Sequence, residues 1–257
     1  MTVNFKRPPF RYWSLCADLL NCPHLLIAGS TGSGKSVLIN SIVYTALGTR
    51  TPATARFLFI DPKRVELSDY KKLKYWCYDY INDDKKVLSA LDRVIDEMFN
   101  RYAQMEKNGL KMYAGADLYI VIDEYADLAI TLKKPFQSRI LRIAQLGRAA
   151  KIHLIIATQR PTRDIIDAAI KTNMDYRIAL HTAEAQHSRN IIGKSGAEFL
   201  QVGTGYFYSP SGTDLVSIPY TEPEELRARV QYWVDNPGEI IEDEPEKRPF
   251  LRRFRKK

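Results

Sequence analysis

The chain has 257 residues, 45% of them hydrophobic, and a net charge of +8. That is enough for one large α/β domain with a buried core, and too little for two domains joined by a long linker. Three cysteines without a C-x-x-C pair argue against a zinc or disulfide framework and for a reducing, cytoplasmic setting. No secretory-type apolar segment opens the sequence, and no run nears the roughly 18 apolar residues of a membrane span. Membrane contact is therefore expected only through a partner or the basic tail.

In chain order, HLLIAG (24–29) reads as a buried strand that runs into GSTGSGKS (29–36) and a helical SVLINSIVYTAL. Gly29, Gly34, Lys35 and Ser36 satisfy G-x-x-x-x-G-K-[ST], here in the strand–loop–helix context that the motif requires. Glycines let backbone N–H groups turn inward, and a helix N-terminus favours negative charge. Gly29, Ser30, Thr31, Gly32, Ser33, Gly34, Lys35, Ser36 and Val37 are thus expected to cradle the phosphates of ATP. Lys35 would reach the β- and γ-phosphates, and the Ser36 hydroxyl would ligate Mg²⁺.

RFLFID (56–61) is the next strand and YWCYDYI (75–81) a short one. Residues 83–108 read as a long helix with Leu88, Leu91, Ile95, Met98, Tyr102 and Met105 on one face, capped by Asp83 or Asp84 and ended at Gly109. LYIVIDE (118–124) is a strong strand whose end brings two carboxylates to the site. Asp123 is expected to hold Mg²⁺ through water, and Glu124 to take a proton from an attacking water. GTPases use Gln for that task and carry N-K-x-D, which is absent here. The plainer reading of Asp123-Glu124 is a solvated strand end.

KPFQSRILRIAQLGRAA (134–150) reads as a helix, IHLIIATQ (152–159) as a strand, RDIIDAAIKTN as a short helix and YRIALH (176–181) as a strand. If the strand ending at Gln159 lies between those ending at Gly29 and Asp123, Gln159 stands beside the γ-phosphate and senses its loss. Otherwise Gln159-Arg160-Pro161 merely caps a strand. YFYSPSGTDLVSIPY suggests a hairpin turning at Ser211-Gly212, and EPEELRARVQYWVDN (222–236) a closing helix. This alternation predicts an α/β fold, a mostly parallel sheet with helices on both faces.

Five segments, PHLLIAGSTGSGKSVLIN (23–40), FIDPKRVELSDY (59–70), VIDEYADL (121–128), QLGRAAKIHLIIATQRPTRDIIDAAIKTN (145–173) and SRNIIGKSGAEFLQVGTG (188–205), together resemble the motor domain of the FtsK/SpoIIIE group of DNA translocases, within the FtsK–HerA superfamily. The resemblance implies a RecA-like P-loop NTPase core of the additional-strand, catalytic-Glu type. It further implies a ring, usually a hexamer, around double-stranded DNA, with ATP between neighbours. Arg148, in the RAA segment, would then be an arginine finger on the next subunit's nucleotide; a helix-terminal Arg favoured by the macrodipole is the plainer alternative. Arg189 is a second intersubunit candidate. His187-Ser188-Arg189 departs from the family's Asp-Ser-Arg, and Gly203-Thr204-Gly205-Tyr206 from its G-x-G-D.

Residues 1–22 are expected to be an extension, 23–236 the motor domain, and 237–257 a mobile tail, acidic in EIIEDEPE and basic in KRPFLRRFRKK. The family's extra N-terminal subdomain, membrane anchor and C-terminal winged helix find no counterpart, so a stripped motor is expected. It would move DNA for a plasmid, conjugative element or phage and borrow a membrane, relaxase or packaging partner. Sequence-independent DNA contacts are expected from KKP (133–135) or Arg163 in strand-end loops. The basic tail suits DNA, an acidic partner, an anionic membrane or mere solubility. The rival expectation is an ATP-switched DNA-binding assembly protein that does not translocate; a metabolic P-loop kinase is a third, without a recognisable acceptor pocket or lid.

Overall fold

The computed structural model describes residues 10–237; the first nine residues of the expected extension, and the acidic-then-basic tail from residue 238 on, lie outside the described residues. Helix α1 (Phe10–Leu20) precedes β1 (His24–Ala28) and α2 (Lys35–Thr49). Strand β2 (Ala55–Ile60), a 3-10 turn (Ser68–Lys72), β3 (Cys77–Ile81) and the long α3 (Asp84–Lys107) follow. Then come β4 (Asp117–Ile122), α4 (Tyr125–Leu146), β5 (Ile152–Thr158), α5 (Ala168–Asn173) and β6 (Tyr176–Ala179). The chain continues through α6 (Ala185–Ile192), the β7 (Thr204–Ser209) and β8 (Gly212–Ser217) hairpin, and α7 (Pro223–Asp235).

The strands form one sheet in the order β3-β2-β4-β5-β1-β6-β7-β8. The first six are mutually parallel; β7 pairs antiparallel with β6, and β8 antiparallel with β7. Side chains alternate across a strand, so a strand covered on both faces must be apolar throughout. In β4, Tyr119 and Val121 pack with α1, α2 and α7, while Leu118, Ile120 and Ile122 pack with α3, α4 and α5. Phe57 and Phe59 of β2 divide from Leu58 and Ile60 in the same way. A third cluster joins Ile191 and Ile192 of α6 to the β6 side.

The stripe of α3 is centred on Val87, Ala90, Leu91, Val94, Met98, Arg101 and Met105. Leu88, Ile95 and Tyr102 flank it half-buried, so the buried face is turned by about one residue from the expected one. Asp83 does cap the helix, accepting from the Lys85 N–H. The helix expected over 134–150 begins earlier, at Tyr125, and is broken by a kink at Lys133 (φ 53°, ψ −141°) just before Pro135. Lys133 and Lys134 are therefore exposed on a kinked helix and not on a strand-end loop, which corrects their expected placement; Arg163 does lie exposed in the loop after β5. The hairpin turns at Pro210-Ser211, with Gly212 opening β8.

Candidate functional site

β1 ends at Ala28, and the loop that follows is bonded to its neighbours by backbone groups. The Gly29 N–H donates to Thr158 O (3.3 Å) and the Ser30 N–H to His181 O (2.8 Å). Gly29 has no room for a side chain: a Cβ there would lie 2.5 Å from Ser33 Oγ and 2.9 Å from Leu180 Cβ. Gly34, at the head of α2, has φ +100°, where only glycine is unstrained, and nothing stands within 4 Å of a Cβ placed on it. The loop is thus an open concavity of N–H groups at a helix N-terminus, the shape and polarity that phosphates require. Ser33 Oγ is buried there, with no hydrogen-bond partner among the described residues. Lys35 is buried and folds back to donate to Gly29 O and Ser30 O, both at 2.8 Å. Burial lowers its pKa, against the pull of Glu124 and Asp123. Ser36 follows it in the first turn of α2, with Val37 next.

Strand β5 lies between β1 and β4, so the ends of the three strands meet. Glu124 is the N-cap of α4; its Oε1 accepts from Thr158 Oγ1 (2.9 Å), and both its oxygens lie within reach of the Gln159 N–H (3.1 and 3.2 Å). Gln159 Oε1 in turn accepts from Thr31 Oγ1 of the loop (2.7 Å). A chain of polar contacts therefore runs from the phosphate loop through Gln159 to the carboxylate of Glu124. Asp123 is 9% exposed, and burial, then Glu66, Asp61 and Glu124, push its carboxyl up to about 6. Among the described residues no three Asp, Glu, His or Cys side chains converge as a metal cage; the raised Asp123 carboxyl is the group that a hard divalent cation such as Mg²⁺ would relieve, with the Ser36 hydroxyl and water as further oxygen ligands.

Arg148 is placed elsewhere. It lies exposed in the turn between α4 and β5, before β5 begins, whereas Gln159 follows its end. Seven residues of strand separate the two ends, roughly 20 Å at about 3.3 Å per residue. The turn is braced: the buried Arg101 guanidinium of α3 donates to Ala150 O (2.9 Å) and Lys151 O (3.2 Å), and Tyr102 Oη donates to Leu146 O (2.8 Å). Arg148 borders a cavity of about 380 Å³ shared with Arg50, Asp117, Lys151, His153 and Tyr176, at the starts of the parallel strands. Arg189 is exposed on α6, beyond β6. The structure thus brings Lys35, Ser36, Asp123, Glu124 and Gln159 together and leaves Arg148 outside their group.

Sequence reasoning missed three members of this neighbourhood, Thr158 as a partner of Glu124 and the pair Lys63–Asp127 (2.9 Å) beside Asp123, and it named Thr31 as a loop residue without its bond to Gln159. The signal for Lys63 lies in FIDPKRVELSDY (59–70), one of the segments that carry the family resemblance.

A parallel sheet with a phosphate loop after one strand and Asp-Glu after another, with a third strand between, is the fold and site of a P-loop ATPase. The FtsK/SpoIIIE family profile matches residues 13–120 and 114–163, and the chain belongs to that family. Among curated relatives, the DNA translocase FtsK of Streptococcus pneumoniae (strain ATCC BAA-255 / R6) is 35% identical over 243 residues, covering 87% of this chain and 30% of that protein. The DNA translocase FtsK of Lactococcus lactis subsp. cremoris (strain MG1363) is also 35% identical, over 87% of this chain and 31% of that protein. The chain thus spans about 30% of the length of these relatives. Among solved structures, the pCW3 conjugation coupling protein TcpA, in a monomer form with ATPγS, superposes with a TM-score of 0.73 at 24% identity, over 84% of this chain and 66% of that one. The cytoplasmic domain of the Thermomonospora curvata type VII secretion ATPase EccC gives 0.68 at 25% identity, over 82% and 28%.

Proposed function

We propose that this chain is the motor of an ATP-driven DNA translocase that works as a ring, a hexamer by the family pattern, on double-stranded DNA without sequence preference. The observation that carries the reading is the separation of Arg148 from the nucleotide loop of its own chain, across the full length of β5. A cation that far away serves a nucleotide only when a second copy brings its own Arg148 face to the first copy's loop. The loop residues 29–37 would hold ATP, with Lys35 leaving its two carbonyl partners for the phosphates. Ser36 and Asp123 would hold Mg²⁺, which when bound neutralises charge on the β- and γ-phosphate oxygens. Glu124 would accept the proton of the attacking water. Gln159, hydrogen-bonded to Thr31 and through its N–H to Glu124, would report phosphate loss to the base.

The relatives named DNA translocase support DNA as partner, and the likeness to a conjugation coupling protein favours service to a mobile element with a membrane, relaxase or packaging partner. Among the described residues no helix is long and apolar enough to cross a membrane, so membrane recruitment would fall to such a partner or to the tail. The division into extension, motor and tail, the cytoplasmic setting, and Arg189 as a second intersubunit cation belong to the same proposal. The rival reading, an ATP-switched assembly that does not move, draws on Glu124 being taken up by Thr158 and Gln159. ATP turnover measured with linear duplex, single strand or no DNA, alongside triplex displacement and the oligomeric state, separates the two. The motor should turn over fastest on duplex, as an oligomer, and displace the third strand; stimulation without displacement selects the rival.

A further inference from the structure

Strands β2 and β4 pair in register, with Ile60 opposite Ile122 and the Asp123 N–H 3.4 Å from Ile60 O. The segment leaving β2 therefore starts beside the carboxylates that leave β4. Asp61 is fully buried and organises that segment. Its Oδ1 accepts from the Arg64 N–H (2.9 Å), and its Oδ2 from the Leu67 N–H (3.1 Å) and Tyr80 Oη (3.3 Å). The turn holds Arg64 at φ +62°, a conformation that non-glycine residues adopt only under constraint. What the turn presents is Lys63, whose Nζ lies 2.9 Å from Asp127 Oδ2 in the first turn of α4, one turn beyond Glu124.

Both members of that pair are about half exposed, at 47% each. An ion pair so open to water contributes little to stability, and it is a small return for a constrained turn around a buried carboxylate. The charges around the pair suggest another use. Five carboxylates (Asp61, Glu66, Asp123, Glu124, Asp127) gather at these strand ends against Lys35 and Lys63. The fields of Lys63 and Glu66 reach Lys35, and those of Asp123 and Glu124 reach Lys63. A lysine head on a four-carbon stem can change partners without any backbone movement.

We propose that Lys63 is a second nucleotide-facing cation, which exchanges its pairing with Asp127 for the terminal phosphate of ATP. Asp127 is then a parking partner that competes with the nucleotide. This rests on the P-loop reading of residues 29–36, and the experiment separates the failure of one from the failure of the other.

The test uses the full chain and four variants: Lys63→Met, Lys63→Arg, Asp127→Asn and Lys35→Ala. Affinities for ATP and ADP are measured by displacement of a fluorescent nucleotide, with kcat and KM for Mg·ATP and the melting temperature alongside. Lys63→Met should lose about tenfold in ATP affinity and at least as much in kcat/KM, with ADP affinity and melting temperature held, because one charge-assisted bond to the terminal phosphate is removed. Lys63→Arg should recover most of the loss. Asp127→Asn should keep turnover and bind ATP as well as wild type or better, since the lysine is released. Equal losses in Lys63→Met and Asp127→Asn would reduce the pair to a structural contact and overturn the proposal. So would a Lys63→Met variant within twofold of wild type, or one that loses ADP as much as ATP. Retained ATP affinity and turnover in Lys35→Ala would instead sink the P-loop reading. A wild type that binds ATP without hydrolysing it would sink the motor while the ATP-against-ADP gap still decides Lys63.

Discussion

Asp123 shows how the site sets its own conditions at the residue scale. A carboxylate with 9% exposure, flanked by Asp61, Glu66 and Glu124, is a poor resident of a folded protein unless a cation joins it. With its carboxyl pushed up to about 6 from an ordinary 3.8, the native state binds more protons than the unfolded chain between those values. The sign follows: the group costs stability as pH rises through that window, and the cost is fully present at neutral pH, of order 3 kcal/mol at about 1.36 kcal/mol per pKa unit. Asp123→Asn should therefore stabilise the nucleotide- and metal-free protein, raising its melting temperature by a few degrees in EDTA, while abolishing Mg²⁺-dependent ATP turnover. A calorimetric scan of both proteins in EDTA at neutral pH checks the first half and a turnover assay the second. A variant less stable than wild type would show that Asp123 is held by the fold and not strained by it.

Between elements, the junction of β1 and β5 carries a pH dependence of the opposite sense. The Leu154 N–H of β5 donates to Nδ1 of His24, the first residue of β1, which leaves that nitrogen unprotonated (3.1 Å). Burial, then the nearby His153, push the His24 pKa from 6.5 down to about 3. Here the unfolded chain binds the extra proton, so stability is full above 6.5 and falls as pH drops towards 3. Between pH 7 and 5 this single group should remove about 2 kcal/mol. His24→Asn keeps an acceptor for Leu154 and removes the titration, so urea midpoints at the two pH values should differ less in the variant than in wild type by about that amount. Neither this bond nor the Lys63–Asp127 pair was legible beforehand, because both join residues far apart in sequence and depend on strand order. The apolar runs were legible, since a strand buried on both faces must write itself as one. The first half of α4 was not: YADLAITL follows the strand with no turn residue between, and Pro135 reads as a helix start because proline suits that position. It begins only the second half, after the kink at Lys133. Helix α1 went unread for the related reason that FRYWSLCADLL shows its apolar side only once α2 supplies the facing surface.

For the whole molecule, the parallel sheet itself imposes a polarity. Every phosphate-loop and carboxylate residue follows the end of a parallel strand, and Arg148 precedes the start of one. No flexing of a braced turn closes a gap of roughly 20 Å across the sheet, since Arg101 and Tyr102 bind its backbone to α3. If Arg148 completes hydrolysis, as proposed, it does so across a subunit boundary, and mixing variants tests that. Lys35→Ala removes a chain's own nucleotide but leaves its Arg148 intact; Arg148→Ala does the reverse. Each protein alone should be nearly inactive, the first for want of bound nucleotide and the second for want of the neighbour's cation, with losses of order 10³-fold on removal of the arginine. In a mixture, an Arg148→Ala subunit that holds ATP meets a Lys35→Ala neighbour with a working arginine, and that interface is complete. Turnover should therefore reappear on mixing, peak near equal proportions and vanish on dilution below the assembly concentration. If Arg148 served its own chain, each variant would remain dead whatever it was mixed with. If it served only as a helix-terminal charge, Arg148→Ala alone would turn over at the wild-type rate.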